Sequence, residues 1–133
     1  MTVLDTNALL WLAKGDERLG RRARRVADRA LATDALAVSA ISFWEVGTLL
    51  HRGRIKLDQP VEVWRTEFLE KGLLEIPVTG EIGITAATFT DVLRDPADRI
   101  IVATAAREGA LLLTSDEPIL VWQGSLRRQD ARL

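Results

Sequence analysis

Two hydrophobic rhythms alternate along the chain. Short apolar runs, TVL at Thr2 to Leu4, ALAVS at Ala35 to Ser39, LLEIPV at Leu73 to Val78 and ALLLTS at Ala110 to Ser115, are too brief for buried helices and predict strands. Between them the apolar positions recur at helical spacing. ALLWLAKG reads as a helix stopped by Gly15. In residues 20–32, Ala23, Val26, Ala27, Ala30 and Leu31 mark one face while arginines take the others. Further helices are predicted in ISFWEVGTLLHRG, ended by Gly53, around Val61 to Lys71, near Ile82 to Leu93 and from Pro96 to Arg107.

Strands alternating with helices predict a three-layer α/β/α domain: a parallel sheet of four or five strands, right-handed crossovers and helices on both faces. Sites in such a sheet lie beyond the carboxyl ends of the strands. VWQG at Val121 to Gly124 is the candidate for a fifth, edge strand, and the RRQDARL that ends the sequence reads as a polar tail. At 133 residues the chain suits a single domain over 1–133.

Composition narrows the chemistry. There is no cysteine and one histidine, His51, so thiolate metal sites, cysteine nucleophiles, zinc sites and a Ser-His-Asp triad are excluded or hard to assemble. Catalysis would have to rest on carboxylates. His51 sits where a histidine satisfies the carbonyls of a helix end. No run reaches membrane-spanning length, and VLDTNALLWLA has no basic residue ahead of it and carries Asp5, so a cytoplasmic location is expected. The net charge of −1 says nothing about nucleic acid, but residues 14–29 are rich in arginine.

In DPADRIIVATA, Asp95 to Ala105, an apolar helix opens with two aspartates and an arginine. Capping accounts for both acids, with Asp95 as N-cap, Pro96 at the first position and Asp98 completing a capping box. Capping also accounts for Asp5, for Glu45 in the S-x-x-E of SFWE, and for Asp116 ahead of Pro118. It does not account for where these caps collect. Asp5 and Asp116 follow strands, while Glu45 and Asp98 lie on helices next to strands, so in a parallel sheet several share one edge. Asp98 lies on the face of Ile101, Val102 and Ala105, and Glu45 lies between Ile41 and Leu49. Gathered carboxylates repel one another and resist burial unless a cation joins them. An oxygen-only ligand set favours Mg²⁺ or Mn²⁺, which suits phosphoryl chemistry. Thr6, Asn7, Thr114 and Ser115 could orient the acids or their waters.

Four blocks carry a resemblance: LDTNALLW, SAISFWEVG, DPADRIIVATA and LLLTSD. In this order they resemble the PIN-domain ribonucleases, and most closely the VapC-type toxins of bacterial toxin–antitoxin pairs. The resemblance implies Asp5, Glu45, Asp98 and Asp116 as the metal-binding and catalytic acids, with Thr114 or Ser115 and Asn7 as helpers and Asp95 as structural. It implies Mg²⁺- or Mn²⁺-dependent endonucleolytic cleavage of RNA, whether tRNA, rRNA or mRNA, leaving 5′-phosphate and 3′-hydroxyl ends. It further implies a homodimer, an antitoxin protein that inhibits it, operator DNA reached only through that antitoxin, and no membrane. Position 97 departs from the pattern: Ala97 stands where relatives often carry a bulkier residue.

Candidate RNA-phosphate contacts are Arg22, Arg25, Arg52 and Arg99, each of which has an alternative as a solvated side chain or, for Arg99, as a partner of Asp95. Arg54 and Lys56 share those alternatives. Trp11 and Trp44 read as core or partner-groove residues, with base stacking as the other use. A phospho-receiver domain is excluded, because its lysine after a late strand is missing: the lysines are Lys14, Lys56 and Lys71. Two rivals remain, a PIN-like binding module without catalysis and an RNA-maturation nuclease with no antitoxin.

Overall fold

Neighbouring residues of the central strands enter different cores, and this decides the layering. Leu4, Leu36, Val38 and Leu113 join one buried cluster, while Val3, Ala37 and Leu112 join another. The period of two places them on opposite faces of the sheet, and both faces are covered, as the near-continuous apolar runs require.

A computed structural model describes residues 1–133. Its strands are β1 (Thr2–Leu4), β2 (Leu36–Ser39), β3 (Leu74–Ile76), β4 (Leu111–Thr114) and β5 (Arg127–Asp130). They pair in the order β3-β2-β1-β4-β5, every pair parallel. Between them run α1 (Thr6–Lys14), α2 (Arg21–Ala32), α3 (Ile41–His51), α4 (Val61–Glu70), α5 (Gly80–Ala87), α6 (Pro96–Arg107) and α7 (Glu117–Leu120). The first cluster takes Ala8 and Leu9 of α1, Ala23 and Ala27 of α2, Val46 of α3 and Trp64 of α4. The second takes Ile101, Val102 and Ala105 of α6 and Ile119 of α7, with α5 joined to α6 through Ile82, Ala86 and Ala103. This is the three-layer α/β/α fold that the alternation predicted. No helix is long and apolar enough to cross a membrane.

Strand order fixes where a site can form. From β1 the chain moves outward to β2 and β3, then returns to add β4 on the other flank of β1. Connections therefore leave in opposite directions past β1 and β4, which opens a crevice at their carboxyl ends. There the Asp5 amide donates to the Leu113 carbonyl at 2.9 Å, locking the end of β1 to β4.

The structure corrects four readings of the sequence. VWQG is not a strand: Val121 to Gly124 lie in the turn after α7, and the edge strand comes from the polar RRQD. An edge strand is held by backbone pairing on one side and tolerates polar side chains on the other. Arg128 is satisfied there by the carbonyls of Leu120, Trp122, Gly124 and Leu126. The helix expected over Ile82 to Leu93 starts at Gly80, capped by Thr79, and ends at Ala87. Beyond it, the Thr88 and Thr90 hydroxyls donate to the carbonyls of Thr85 and Ala87, local bonds that compete with helix continuation. SFWE is not a capping box, because α3 starts a residue before Ser42 with Ala40 at its N-cap. Nor does Asp98 complete one on α6, since its carboxylate accepts no hydrogen bond.

Candidate active site

The four acids reach one cleft from four different elements. Asp5 follows β1 and caps α1, accepting the Thr6 amide at 2.7 Å. Asp116 follows β4 and caps α7, accepting the Ile119 amide at 3.3 Å. Glu45 projects from α3, and Asp98 from the first turn of α6. Together with Asp95 they line a cleft of about 380 Å³ whose wall also includes Thr6, Asn7, Trp44 and Arg52.

Hydroxyls aim two of these carboxylates. Asp5 is 5% exposed, and Thr114 donates to its second oxygen at 2.6 Å while accepting the Asp116 amide at 3.0 Å. Thr114 thus links the loops that follow β1 and β4. On the other side the Thr6 hydroxyl contacts Glu45 and lies 3.0 Å from the buried Ser42 hydroxyl. The S-x-x-E spacing places Ser42 and Glu45 on one helical face, where they meet Thr6 of α1 instead of capping their own helix.

No cation neutralises the cleft. The ion pairs of the molecule are Arg18–Asp16, Arg65–Glu75, Arg107–Glu81 and those of Arg132 with Glu117 and Asp130, none of which touches the gathered acids. Arg52 lines the cleft without pairing. The acids consequently hold protons more tightly than free carboxyls. Burial raises Asp5, opposed by the Thr114 and Thr6 hydrogen bonds and reinforced by the charges of Asp116 and Asp95. Burial raises Glu45, opposed by Thr6 and reinforced by Asp5 and Asp95. Asp116 is raised by burial against the Ile119 hydrogen bond. Asp98 has no bond to offset its burial, and with Asp5, Asp116, Asp95 and Glu45 around it the carboxyl is pushed up to about 8.

The donor set suits a hard cation, being carboxylate oxygens with their charge uncompensated. It is not a preformed cage: no three such side chains stand close enough to enclose an ion.

Other candidates divide. Thr6 and Asn7 line the cleft, Thr114 lies buried behind Asp5, and Ser115 is half-buried outside the cleft wall. Arg52 is at the cleft, whereas Arg22 and Arg25 are exposed on α2 and do not line it. Arg99 does not pair with Asp95. Its guanidinium donates to the carbonyls of Leu93 and Arg94 at 2.6 and 2.7 Å, bracing the loop before α6. The two tryptophans also part: Trp11 is core at 9% exposure, and Trp44 stands at the cleft at 63%. Asp95 does cap α6, accepting the Ala97 amide at 2.8 Å, yet it also faces the cleft and raises its neighbours. The sequence signal for that second role was its position three residues from Asp98, one helical turn away. His51 is exposed at the end of α3.

Comparison with known proteins agrees with this architecture. The family model for the PIN domain matches residues 2–120. Ribonuclease VapC22 of Mycobacterium tuberculosis is 32% identical over 130 residues, covering 90% of this chain and 97% of that protein. The fold is similar to the crystal structure of VapBC2 from Rickettsia felis bound to a promoter DNA fragment, with a TM-score of 0.70, 15% identity and 96% of each chain covered. It is equally similar to DNA-bound VapBC from Salmonella typhimurium, with a TM-score of 0.70, 18% identity and 98% and 97% of the two chains covered. With a family model spanning most of its length and a relative of this identity aligned nearly end to end, the chain belongs to the PIN-domain family, among its VapC proteins.

Proposed function

We propose that this chain is a divalent-metal-dependent endoribonuclease, with residues 1–133 acting as one domain. The observation that carries the reading is a set of carboxylates, Asp5, Glu45, Asp98 and Asp116, gathered without a cationic partner at the switch point between β1 and β4. The relative named as a ribonuclease supports RNA as the substrate.

Asp5, Glu45, Asp98 and Asp116 would hold Mg²⁺ or Mn²⁺. Mg²⁺ keeps several waters and uses few carboxylates, so binding it does not require the closed cage that these acids lack. Such an ion, when bound, supplies charge stabilisation at the phosphoryl group and a more acidic water. The protein's own part is positional: Thr114 orients Asp5, Thr6 and Ser42 orient Glu45, and Asn7 and Arg52 offer polar contacts to the substrate at the rim. Asp95 holds the first turn of α6, and with it Asp98, in place.

The similar structures are complexes described as VapBC or toxin–antitoxin, two of them on DNA, which supports a toxin role for this chain. A cognate antitoxin would inhibit it and carry it to operator DNA, and the toxin would form a homodimer. A binding module without catalysis is the second reading, and the missing cage is the observation in its favour.

The purified protein, freed of antitoxin, is incubated with total cellular RNA and Mg²⁺ or Mn²⁺, beside EDTA and Asp98→Asn controls, and new 5′ ends are mapped. Discrete cuts lost in both controls are expected. Intact RNA in the presence of folded protein and bound metal would select the binding module.

A further inference from the structure

The acidic cleft does not stop at its own rim. Asn7 and Leu49 are shared with a second cavity, of about 470 Å³, whose polar wall is opposite in sign: Lys14, Arg18, Arg54 and Lys56 line it and no carboxylate does. Its floor is apolar, made by Leu10, Trp11 and Ile55 between the end of α1 and the loop after α3. Arg18 is already engaged, paired with Asp16 at 2.7 Å and set over the Trp11 ring. Lys14, Arg54 and Lys56 are exposed and belong to no ion pair. Three unpaired cations therefore sit in a groove that opens directly into five gathered carboxylates.

We infer that this groove, through Lys14, Arg54 and Lys56, binds the backbone phosphates of the RNA strand on one side of the scissile bond. The choice of ligand rests on the nuclease reading, and the groove explains a requirement of it. A polyanion is repelled by the carboxylates that would hold the metal, so its affinity has to come from cations placed beyond them. Continuity through Asn7 and Leu49 lets one strand occupy groove and cleft together. The arginines of α2, which the sequence offered as the basic surface, line neither cavity. The contacts carry no base specificity and set the register of the strand.

Binding is read apart from cleavage, by fluorescence anisotropy of a short labelled single-stranded RNA with Mg²⁺ in an Asp98→Asn background. Replacing Lys14, Arg54 and Lys56 with alanine is expected to weaken binding and to lower the slope of log K against log salt by about 2, at roughly 0.7 per phosphate contact on a single strand. Arginine at positions 14 and 56 should restore it, and alanine at Arg22, Arg25 and Arg29 should leave the slope unchanged.

An unchanged slope in the groove variant overturns the inference, as does an equal loss from the α2 variant, which would make the effect one of net charge. Loss of binding to a glutamate-rich peptide, with RNA binding intact, would assign the groove to an acidic protein segment and overturn it as well. The two readings fail separately. A protein that binds RNA through the groove and cuts none keeps the groove and loses the nuclease, whereas one that cuts RNA with the groove variant binding normally does the reverse.

Discussion

Asp5 and Asp98 face the same cleft, yet they are held so differently that their replacement should read out differently. Both oxygens of Asp5 accept hydrogen bonds, from the Thr6 amide and the Thr114 hydroxyl, and the side chain is almost fully enclosed. Thr114→Val removes one of those donors with little change in shape. Leaving a buried acceptor unsatisfied costs about 1–3 kcal/mol, and loss of a residue that orients a metal ligand lowers metal affinity or activity by about 10–100-fold. Chemical denaturation and a Mg²⁺ titration would check the two effects. Wild-type metal affinity in Thr114→Val would mean that Asp5 does not depend on this hydroxyl for its aim. Asp98 accepts no hydrogen bond, so Asp98→Asn breaks no contact and relieves a carboxyl raised to about 8. Cleavage should disappear while the metal-free protein melts at the same or a higher temperature near pH 8. Retained cleavage would remove Asp98 from the site, and a large drop in melting temperature would give it a structural part.

At the scale of the element, α6 shows how a single turn serves both stability and the site. Asp95 caps it, Pro96 occupies the first position, and Asp98 emerges where the helix dipole and the cleft meet. Asp95→Asn preserves the cap and removes one charge from the cleft, so it should fold normally and keep most activity. Asp95→Ala loses the cap at about 1 kcal/mol and lets the first turn fray, with cleavage falling alongside stability. Denaturation and cleavage rates for the pair would separate the roles, and an Asp95→Asn variant as inactive as Asp98→Asn would place Asp95 among the acids that act directly. The sequence made α6 legible to the residue because its cap, its proline and its apolar face agree. The same agreement exposed β1, β2 and β4, where apolar runs meet a sheet covered on both faces. It failed at β5, whose formation depends on backbone pairing with β4 and on Arg128 satisfying four carbonyls of the preceding turn, interactions that leave no apolar trace. Glu45 was legible as a candidate for an incomplete reason. Its partner is Thr6, 39 residues away in sequence, and a tertiary bond of that kind competes with the local capping that S-x-x-E suggests.

For the whole molecule, gathering the acids has a thermodynamic consequence that reaches beyond the cleft. Asp5, Glu45, Asp98 and Asp116 all hold their protons above the ordinary carboxylate range in the folded state, burial being the first cause in each case. The unfolded chain releases the same protons near pH 4. Between that point and about pH 8, where Asp98 titrates, the folded protein binds more protons than the unfolded chain. Stability must then fall as pH rises, because it changes with pH in proportion to the protons bound in the unfolded state minus those bound in the native state. The part that Asp98 contributes is fully present below about pH 4 and is lost as pH rises through about 8. A cation that binds the deprotonated cluster should reverse the loss, and Mg²⁺ at a hundredfold excess over its Kd adds about 2.7 kcal/mol, on the order of 10 °C in melting temperature. The measurement is a set of thermal melts from about pH 5 to pH 8, with EDTA and with Mg²⁺, on wild type and Asp98→Asn. Metal-free wild type should lose stability across the upper part of that range, Asp98→Asn should lose less, and the gain from Mg²⁺ should grow with pH. A Mg²⁺ gain of equal size at both ends, or one undiminished in Asp98→Asn, would place the ion elsewhere on the protein and separate the pH response from the cleft.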